Sequence, residues 1–490
     1  MMDRRRLLAC GTAALLTRTS QVDAAGAAEP IDIGLGSAGR VIEALAVPAT
    51  TRNARRIVLV AGLSGEGADS AAARAATEAY ARQRLRAIEL LAVPVANPDR
   101  SPLQFPPAGV AYRENAEAHV LWRWLLAQAP AAVLCATPAA GMSPVPVTSW
   151  GGSLEAVLAA GLAPPSEASL ALSRRVARSP RGLAEHLAGH YGQEFENPWY
   201  IGALALVARL RLGEVAAVRT LAEPWVDGRR DSLARPNALV MAGHVVFSEL
   251  YRHTGDARYL RAVRRVADLG FEADGRPREA MPYHDGYSDS VFMGTAIVAQ
   301  AGALTGEGRY FDMADRHLRF MQRLDLRPDG LYRHRPEADV AWGRGNGFAA
   351  IGLALSLSEW PATHPGHRHA LASYRGLMDR LLPWQTRDGL WRNVINHRGA
   401  FAEFSCTAMI GFALERGLRR GWIRGSRYRK ATDLAWQAVN SRSGEDGGFI
   451  DVCDSTARFT TLQDYLQRPA LLGPDARGGA MALLFATERM

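Results

Sequence analysis

The period of the apolar positions changes about a third of the way along this chain. Up to about residue 165, short apolar runs alternate with helical patterns. Residues 40–48, 56–62, 87–96 and 131–136 read as strands, being compact apolar runs without helical spacing. Residues 68–84 and 114–128 read as helices, the second with Leu121, Trp122, Trp124 and Leu125 on or near one face. Strand–helix–strand alternation predicts a largely parallel sheet covered by helices. Proline, serine and small residues crowd positions 137–167, which places the domain boundary there, with its strongest break at Pro164-Pro165.

Beyond about residue 170, strand signals nearly vanish and apolar residues recur at helical spacing within a repeated unit. One copy turns on Thr254-Gly255-Asp256-Ala257-Arg258-Tyr259, the next on Thr305-Gly306-Glu307-Gly308-Arg309-Tyr310. Worn copies are Arg424-Gly425-Ser426-Arg427-Tyr428 and Pro365-Gly366-His367-Arg368. The glycine can end one helix and the polar residue after it can start another. A spacing of roughly 50–60 residues, two helices per unit, fits about five or six helix pairs in the remaining chain. An open solenoid would leave two exposed ends, whereas a closed ring of pairs leaves none. The expected fold class is α+β multidomain: an N-terminal α/β domain over 30–165, then an (α/α)6 toroid over 166–490.

Composition narrows the function. The length of 490 residues exceeds one ordinary core, and 48% hydrophobic with 22% charged residues describes a folded protein. Of 58 basic residues only Lys430 is a lysine, and the net charge is +9. The arginines are scattered, without the clustered basic face that nucleic acid requires, so no nucleic-acid partner is expected. A weak positive field favours an anionic substrate. Cys10, Cys135, Cys406 and Cys453 follow neither a metal spacing nor a disulfide framework, and the last three are expected to be separate, mostly buried thiols. Residues 1–29 have leader anatomy. Arg4-Arg5-Arg6-Leu7-Leu8 fits a twin-arginine pattern, followed by a short apolar stretch and small residues. A periplasmic or secreted location follows as an expectation. No other segment holds the roughly 18 apolar residues that a membrane span requires. The protein is expected to work as a monomer or homodimer, without cofactor or metal.

Two motifs fall in the N-terminal domain. Gly34-x-Gly36-x-x-Gly39 has the spacing of a dinucleotide fingerprint. A strand follows it rather than a helix, with no acidic residue about twenty positions on, so the match is read as accidental. Residues 58–66, Asn97-Pro98-Asp99 and Arg113-Glu114-Asn115 resemble landmarks of the zinc carboxypeptidase and deacylase fold. That resemblance implies a His-x-x-Glu pair after the first strand, but Ser64 and Gly67 stand there, and Cys135-Ala136-Thr137 supplies no further His. Catalytic zinc takes three protein ligands. The domain is therefore expected to be a metal-free relative serving substrate binding, docking or structure, with a peptidase- or deacylase-like activity as the alternative.

Three polar, aromatic, glycine-rich segments interrupt the helical part: Tyr283-His284-Asp285-Gly286-Tyr287-Ser288-Asp289-Ser290-Val291-Phe292-Met293, Asp329-Gly330-Leu331-Tyr332-Arg333-His334, and Trp342-Gly343-Arg344-Gly345-Asn346-Gly347-Phe348. With Asp388-Gly389-Leu390-Trp391, Glu403-Phe404-Ser405-Cys406, Gln463-Asp464-Tyr465, Arg468-Pro469 and Asp475-x-Arg477-Gly478-Gly479, they resemble glycoside hydrolase families 105 and 88 in order and spacing over about residues 190–490. The resemblance implies removal of a 4,5-unsaturated uronic acid from lyase-cut oligosaccharides. The C4=C5 vinyl ether is hydrated, and the resulting hemiketal opens. One acid must protonate C4 and a base must help water reach C5.

Asp289 matches the family's catalytic acid, and burial beside Val291-Phe292-Met293 would raise its pKa. From chemistry alone it reads equally as a helix N-cap. His334 and Arg344 match residues near the uronate, Arg being able to grip a carboxylate with two hydrogen bonds. Trp342, Asn346, Phe348, Asn237, Tyr200 and His284 complete the substrate-binding set, with core packing the alternative for Trp342 and for Trp199-Tyr200. The resemblance implies a second aspartate before Gly243-His244, where the nearest polar residue is Asn237. Asp285 or Asp231 would have to replace it, or the activity would be weak. A glycan-binding protein without turnover is the alternative reading, and an epimerase on the same toroid a further one.

Overall fold

The computed structural model describes residues 27–490 apart from 52, 53, 162, 163 and 455. The leader expected over 1–29, Cys10 included, lies outside the described residues but for its last three positions. The N-terminal domain runs β1 (Glu29–Leu35), β2 (Val41–Val47), β3 (Arg55–Val60), α1 (Ala68–Ala81), β4 (Ile88–Val93), α2 (Ala116–Gln128), β5 (Ala132–Cys135), β6 (Val147–Ser149) and α3 (Leu154–Ala159). They form one sheet in the order β1-β2-β4-β3-β5-β6. β4, β3, β5 and β6 are parallel, with Ile57 between Leu90 and Ala132, and the antiparallel pair β1–β2 extends the edge.

The central strands are apolar throughout because helices cover both faces. Tyr80 of α1 and Leu154 of α3 pack on one face, and Val120, Leu121 and Trp124 of α2 on the other. Gly36 to Gly39 form the turn of the β1–β2 hairpin, with Gly39 at φ 81°, so the glycine triplet precedes a strand and not a phosphate-binding helix. Two elements escape the apolar pattern. β1 carries Pro30, Asp32 and Gly34, which break its alternation, and β6 has three residues. The proline-rich stretch 137–167 thus still contains sheet and covering helix, and the change of architecture comes close to Glu167.

The second part runs α4 (Glu167–Ala177), α5 (Pro180–Ala188), α6 (Tyr200–Arg211), α7 (Val215–Ala222), α8 (Ala238–Gly243), α9 (Val245–Thr254), α10 (Ala257–Ala267), α11 (Ser290–Met293), α12 (Thr295–Thr305), α13 (Gly308–Asp325), α14 (Gly343–Leu357), α15 (Pro365–Leu381), β7 (Trp391–Arg392), β8 (Ala402–Glu403), α16 (Phe404–Arg419), α17 (Ser426–Arg442), β9 (Phe449–Cys453), α18 (Leu462–Leu466), β10 (Ala470–Gly473) and α19 (Ala476–Glu488). Helices α6, α9, α12, α14, α16 and α19 pack each on the next, and α19 closes on α6. Around this ring lie α5, α7, α10, α13, α15 and α17. The inner helices are apolar on nearly every side, as helices buried all round must be; every residue of α14 is buried.

The repeated turns work as their residues dictate. Gly255 and Gly306 end inner helices in the left-handed region, at φ 69° and 72°. Asp256 then caps α10 by accepting from the Arg258 N–H. Tyr259 and Tyr310 carry the outer helices inward, fully buried.

Glu403 locks the ring to β9. Its buried carboxylate accepts from Ser405 N (2.9 Å), Ser405 Oγ (2.8 Å), Cys406 N (2.6 Å) and, fifty residues on, Cys453 N (2.9 Å). Glu403→Ala removes an N-cap and strands buried donors, and is expected to cost on the order of 3–5 kcal/mol in thermal unfolding. A loss below about 1 kcal/mol would mean that these donors find other partners. The C-terminal ends of the inner helices enclose a cavity of about 680 Å³. Its arginines complement the negative helix ends: Arg211 and Arg416 share Glu488, and Arg252 holds Glu359. The chemistry gathers at the opposite end.

Candidate active site

The N-terminal ends of the inner helices, with the loops feeding them, bring Asp289, His334 and the Trp342–Phe348 segment together. Asp289 precedes α11 in helical conformation, φ −52° and ψ −30°, and its side chain makes no cap hydrogen bond. The cap reading therefore falls. Its Oδ1 is buried without a partner, and the residue keeps 9% exposure. Burial pushes the carboxyl up to about 7, against the opposing pull of the Arg344 and Arg468 guanidiniums.

His334 stands beside it, Nε2 4.0 Å from Asp289 Oδ1. Its backbone carbonyl accepts from Ser288 N, which ties the two loops together. The ring lies against Trp342 (4.4 Å) and Tyr287 (4.9 Å). Burial, then Arg468 and Arg344, hold the imidazole well below its usual pKa, so it is neutral. Burial raises the Tyr465 phenol, which stays protonated. Its Oη lies 2.5 Å from His334 Nδ1 and 3.5 Å from the Phe459 carbonyl. His334 Nε2, on the Asp289 side of the ring, is buried without a hydrogen-bond partner.

The remaining sequence-derived residues take other duties. Trp342 is fully buried between the Arg344 (4.8 Å) and Arg468 (4.7 Å) guanidiniums, with its indole N–H on Asn393 Oδ1, and offers no face to a sugar. Arg344 donates to the carbonyls of Cys453 (2.6 Å) and Asp454 (2.7 Å), so its fork is engaged by the main chain. Asn346 is consumed by Tyr332 N, Tyr332 O and Trp342 O. Phe348 stacks on Phe292 and meets Tyr200 edge-on at 5.3 Å, within the core of the ring. Tyr200 is 5% exposed, its phenol pushed up to about 12 by burial, within electrostatic reach of Arg344 and Asp289. Asn237 caps α8 by accepting from Val240 N (3.0 Å). His284 accepts from Gly286 N and packs on Phe320, shaping the turn before Asp289. In this structure Trp342, Arg344, Asn346 and Phe348 are held in the framework by burial or hydrogen bonding, while Asn237 and His284 are half-buried and each shape a local turn. The exposed aromatics near the mouth are Trp199, 41% exposed, and Tyr283, 40%.

Neither aspartate offered as the second acid is placed for it. Asp285 is exposed, and Asp231 pairs with Arg265 at the surface. The buried second acid is Asp325, at the end of α13. It is fully buried, neither oxygen has a hydrogen-bond partner, and burial first, then the Asp289 charge among others, raises it to about 8, opposed by Arg333. Sequence reasoning missed it because it closes an amphipathic helix as any polar residue would.

Arg468 was also missed as a site residue, although its Arg-Pro pair belongs to the tail motif. It is 1% exposed, and Nε and Nη1 are buried without a partner. Among the described residues no group of three His, Cys, Asp or Glu side chains is placed to hold a metal ion, at the sheet or in the ring. No helix among them is long and apolar enough to cross a membrane.

A closed ring of helix pairs with a buried acid, a neutral imidazole and clustered guanidiniums at one mouth defines a carbohydrate-active toroid. The Glycosyl Hydrolase Family 88 profile matches residues 215–490, more than half the chain, and the protein belongs to that family. The unsaturated rhamnogalacturonyl hydrolase YesR of Bacillus subtilis is 25% identical over 272 residues, 51% of this chain and 76% of that protein. A family 105 glycoside hydrolase from C. acetobutylicum shares the fold, with a TM-score of 0.52 and 18% identity over 62% of this chain and 98% of that one. So does a family 88 glycosyl hydrolase from Bacteroides vulgatus, at 0.51 and 14% over 64% and 99%. The homologues act on unsaturated uronyl oligosaccharides, and the chain is a glycosidase homologue of that group.

Proposed function

We propose that this protein removes a 4,5-unsaturated uronic acid from the end of lyase-generated oligosaccharides by hydrating the vinyl ether. The observation that carries this is Asp289: a nearly buried carboxyl, raised to about 7, with a neutral imidazole 4.0 Å away. A carboxyl with that affinity holds its proton near neutral pH and can pass it to C4. The carboxylate so formed is stabilised by the two guanidiniums. It then takes a proton from the water attacking C5, while the neutral His334 ring beside it orients that water. Arg468, a buried guanidinium whose Nε and Nη1 have no partner, supplies a cation suited to the uronate carboxylate. Trp199 and Tyr283 offer sugar-stacking faces at the mouth.

Asp325 is the acid available in place of the aspartate that Asn237 does not provide. The N-terminal domain is read as a metal-free carboxypeptidase-like module with a structural task, and the protein as exported through a twin-arginine leader. The test is a panel of lyase-digested pectin, gellan, ulvan and glycosaminoglycans followed by loss of the ultraviolet absorbance of the C4=C5 bond. Absorbance should fall with at least one of them. If none loses absorbance while calorimetry records uronide binding, the protein is the glycan-binding relative that the Asn237 substitution favours.

A further inference from the structure

The catalytic ring leaves one conspicuous group unexplained. Asp451 lies in the middle of β9, 5% exposed, and holds φ 64°. That left-handed conformation is uncommon for a residue with a Cβ and persists where surrounding contacts enforce it. The contacts come from the other domain. Arg123 Nη1 of α2 donates to Asp451 Oδ1 at 2.7 Å, and Tyr112 Oη donates to Oδ2 at 2.8 Å. Both members of the ion pair are over nine-tenths buried, with side chains 9% and 7% exposed.

Two and three residues beyond Asp451 lie the carbonyls that seat Arg344. The second of them, on Asp454, also receives Arg468 Nη2 at 3.3 Å. The Cys453 N–H is fixed by Glu403, so β9 is held from both sides. The same domain reaches the site by a second route. Tyr112 stacks on Phe401 at 4.7 Å, and Leu35 and Tyr112 pack on the cluster that contains Trp342 and Tyr465.

We propose that the N-terminal domain is a positioning domain for catalysis, in which Arg123 and Tyr112, acting through Asp451, set where Arg344 and Arg468 stand relative to Asp289. The proposal rests on Asp289 being the acid, as read above. A buried ion pair between domains is a weak device for stability alone, because desolvation offsets most of its attraction. It is a precise device for fixing a strand. Catalytic groups misplaced by about 1 Å lose on the order of 100-fold in rate.

The groups facing Asp289 are Arg344 from α14, Arg468 after α18, His334 before α14, Tyr200 from α6, Tyr465 from α18 and Asp325 from α13. Of these, Arg344 and Arg468 depress its proton affinity, and both sit on the β9 end. Loosening β9 withdraws them, so the Asp289 midpoint moves up.

The test uses Tyr112→Phe and the paired Arg123→Met/Asp451→Asn in the full chain, the pair removing both charges so that neither is left buried alone. Asn tolerates the left-handed position. The Asp289 midpoint is read by infrared difference spectra of each protein against the same protein carrying Asp289→Asn, and the alkaline limb of kcat is read in parallel. The paired variant is expected to raise midpoint and limb together by about half a unit or more, and Tyr112→Phe to do so by less. A folded variant with the unchanged midpoint overturns the proposal. Should the paired variant not fold, Tyr112→Phe, which keeps the ion pair, decides alone. The infrared midpoint decides even where the wild-type protein turns over no uronide, an outcome that overturns the proposed function instead.

Discussion

Asp289→Asn is expected to abolish turnover and at the same time to raise the melting temperature at pH 8. The first effect follows from the chemistry. In the proposed mechanism Asp289 is both proton donor and, once ionised, proton acceptor, and the loss of general acid–base assistance costs roughly 10²–10⁴-fold. A residual rate above about a tenth of wild type would remove Asp289 from that role. The second effect follows from the sign of the shift. An unfolded aspartate titrates near about 4, whereas Asp289 in the fold titrates near about 7. Between those values the folded state binds more protons than the unfolded one, so stability falls as pH rises from about 4 to 7 and then levels. Asparagine carries no such penalty. The gain at pH 8 is on the order of 2–4 kcal/mol, and it should shrink to roughly a tenth of that near pH 4, where the folded carboxyl is protonated and the unfolded one about half so. Asp325, raised to about 8, extends the same decline by about one unit in the wild type and by less in the variant, which lacks the Asp289 charge that helps to raise it. Paired thermal melts at pH 4 and 8 separate the two contributions. The same titration predicts the alkaline limb of the pH–rate profile: activity is lost above about pH 7 as the acid deprotonates.

The ring was legible in the sequence because its determinants are local. Gly255 and Gly306 end helices where they stand, Asp256 starts one, and the apolar inner helices announce burial by composition. Asp289 was legible through its place in an ordered motif set. The structure then removed the cap reading that spacing alone had left open. The duties of Trp342, Arg344 and Asn346 were not legible, since a motif reports that residues belong together but not which way each faces. Arg344 points at carbonyls more than a hundred residues away, and only β9, brought back by α17, supplies them. Asp325 and the Asp451 link depend wholly on tertiary placement, and an acid closing a helix or sitting in a short strand gives no periodic signal. β1 and β6 were lost for a simpler reason: one is interrupted by proline and glycine, the other has three residues.

Arg468→Met is expected to separate substrate grip from fold. In the free protein this guanidinium is desolvated, lies on the Trp342 face, and leaves Nε and Nη1 without partners. A buried cation with one main-chain hydrogen bond and no counter-ion adds little to the stability of its own fold. Methionine retains the packing volume against Trp342 and Phe459, so the melting temperature should hold or rise. A uronate carboxylate would pair with this buried cation, and loss of one member of a desolvated charge pair costs about 2–5 kcal/mol. That corresponds to roughly 30- to 3000-fold in kcat/KM. Most of the loss should appear in KM, since the carboxylate is present in ground state and transition state alike. Arg468→Lys keeps the charge without the planar fork and should recover only a small part. Its second effect, stabilising the Asp289 carboxylate, leaves a separate mark: kcat would fall and the alkaline limb would move up. Kinetics of the two variants across pH 5–9 on one active uronide distinguish these outcomes. An unchanged kcat/KM with an unchanged pH profile would remove Arg468 from the site altogether.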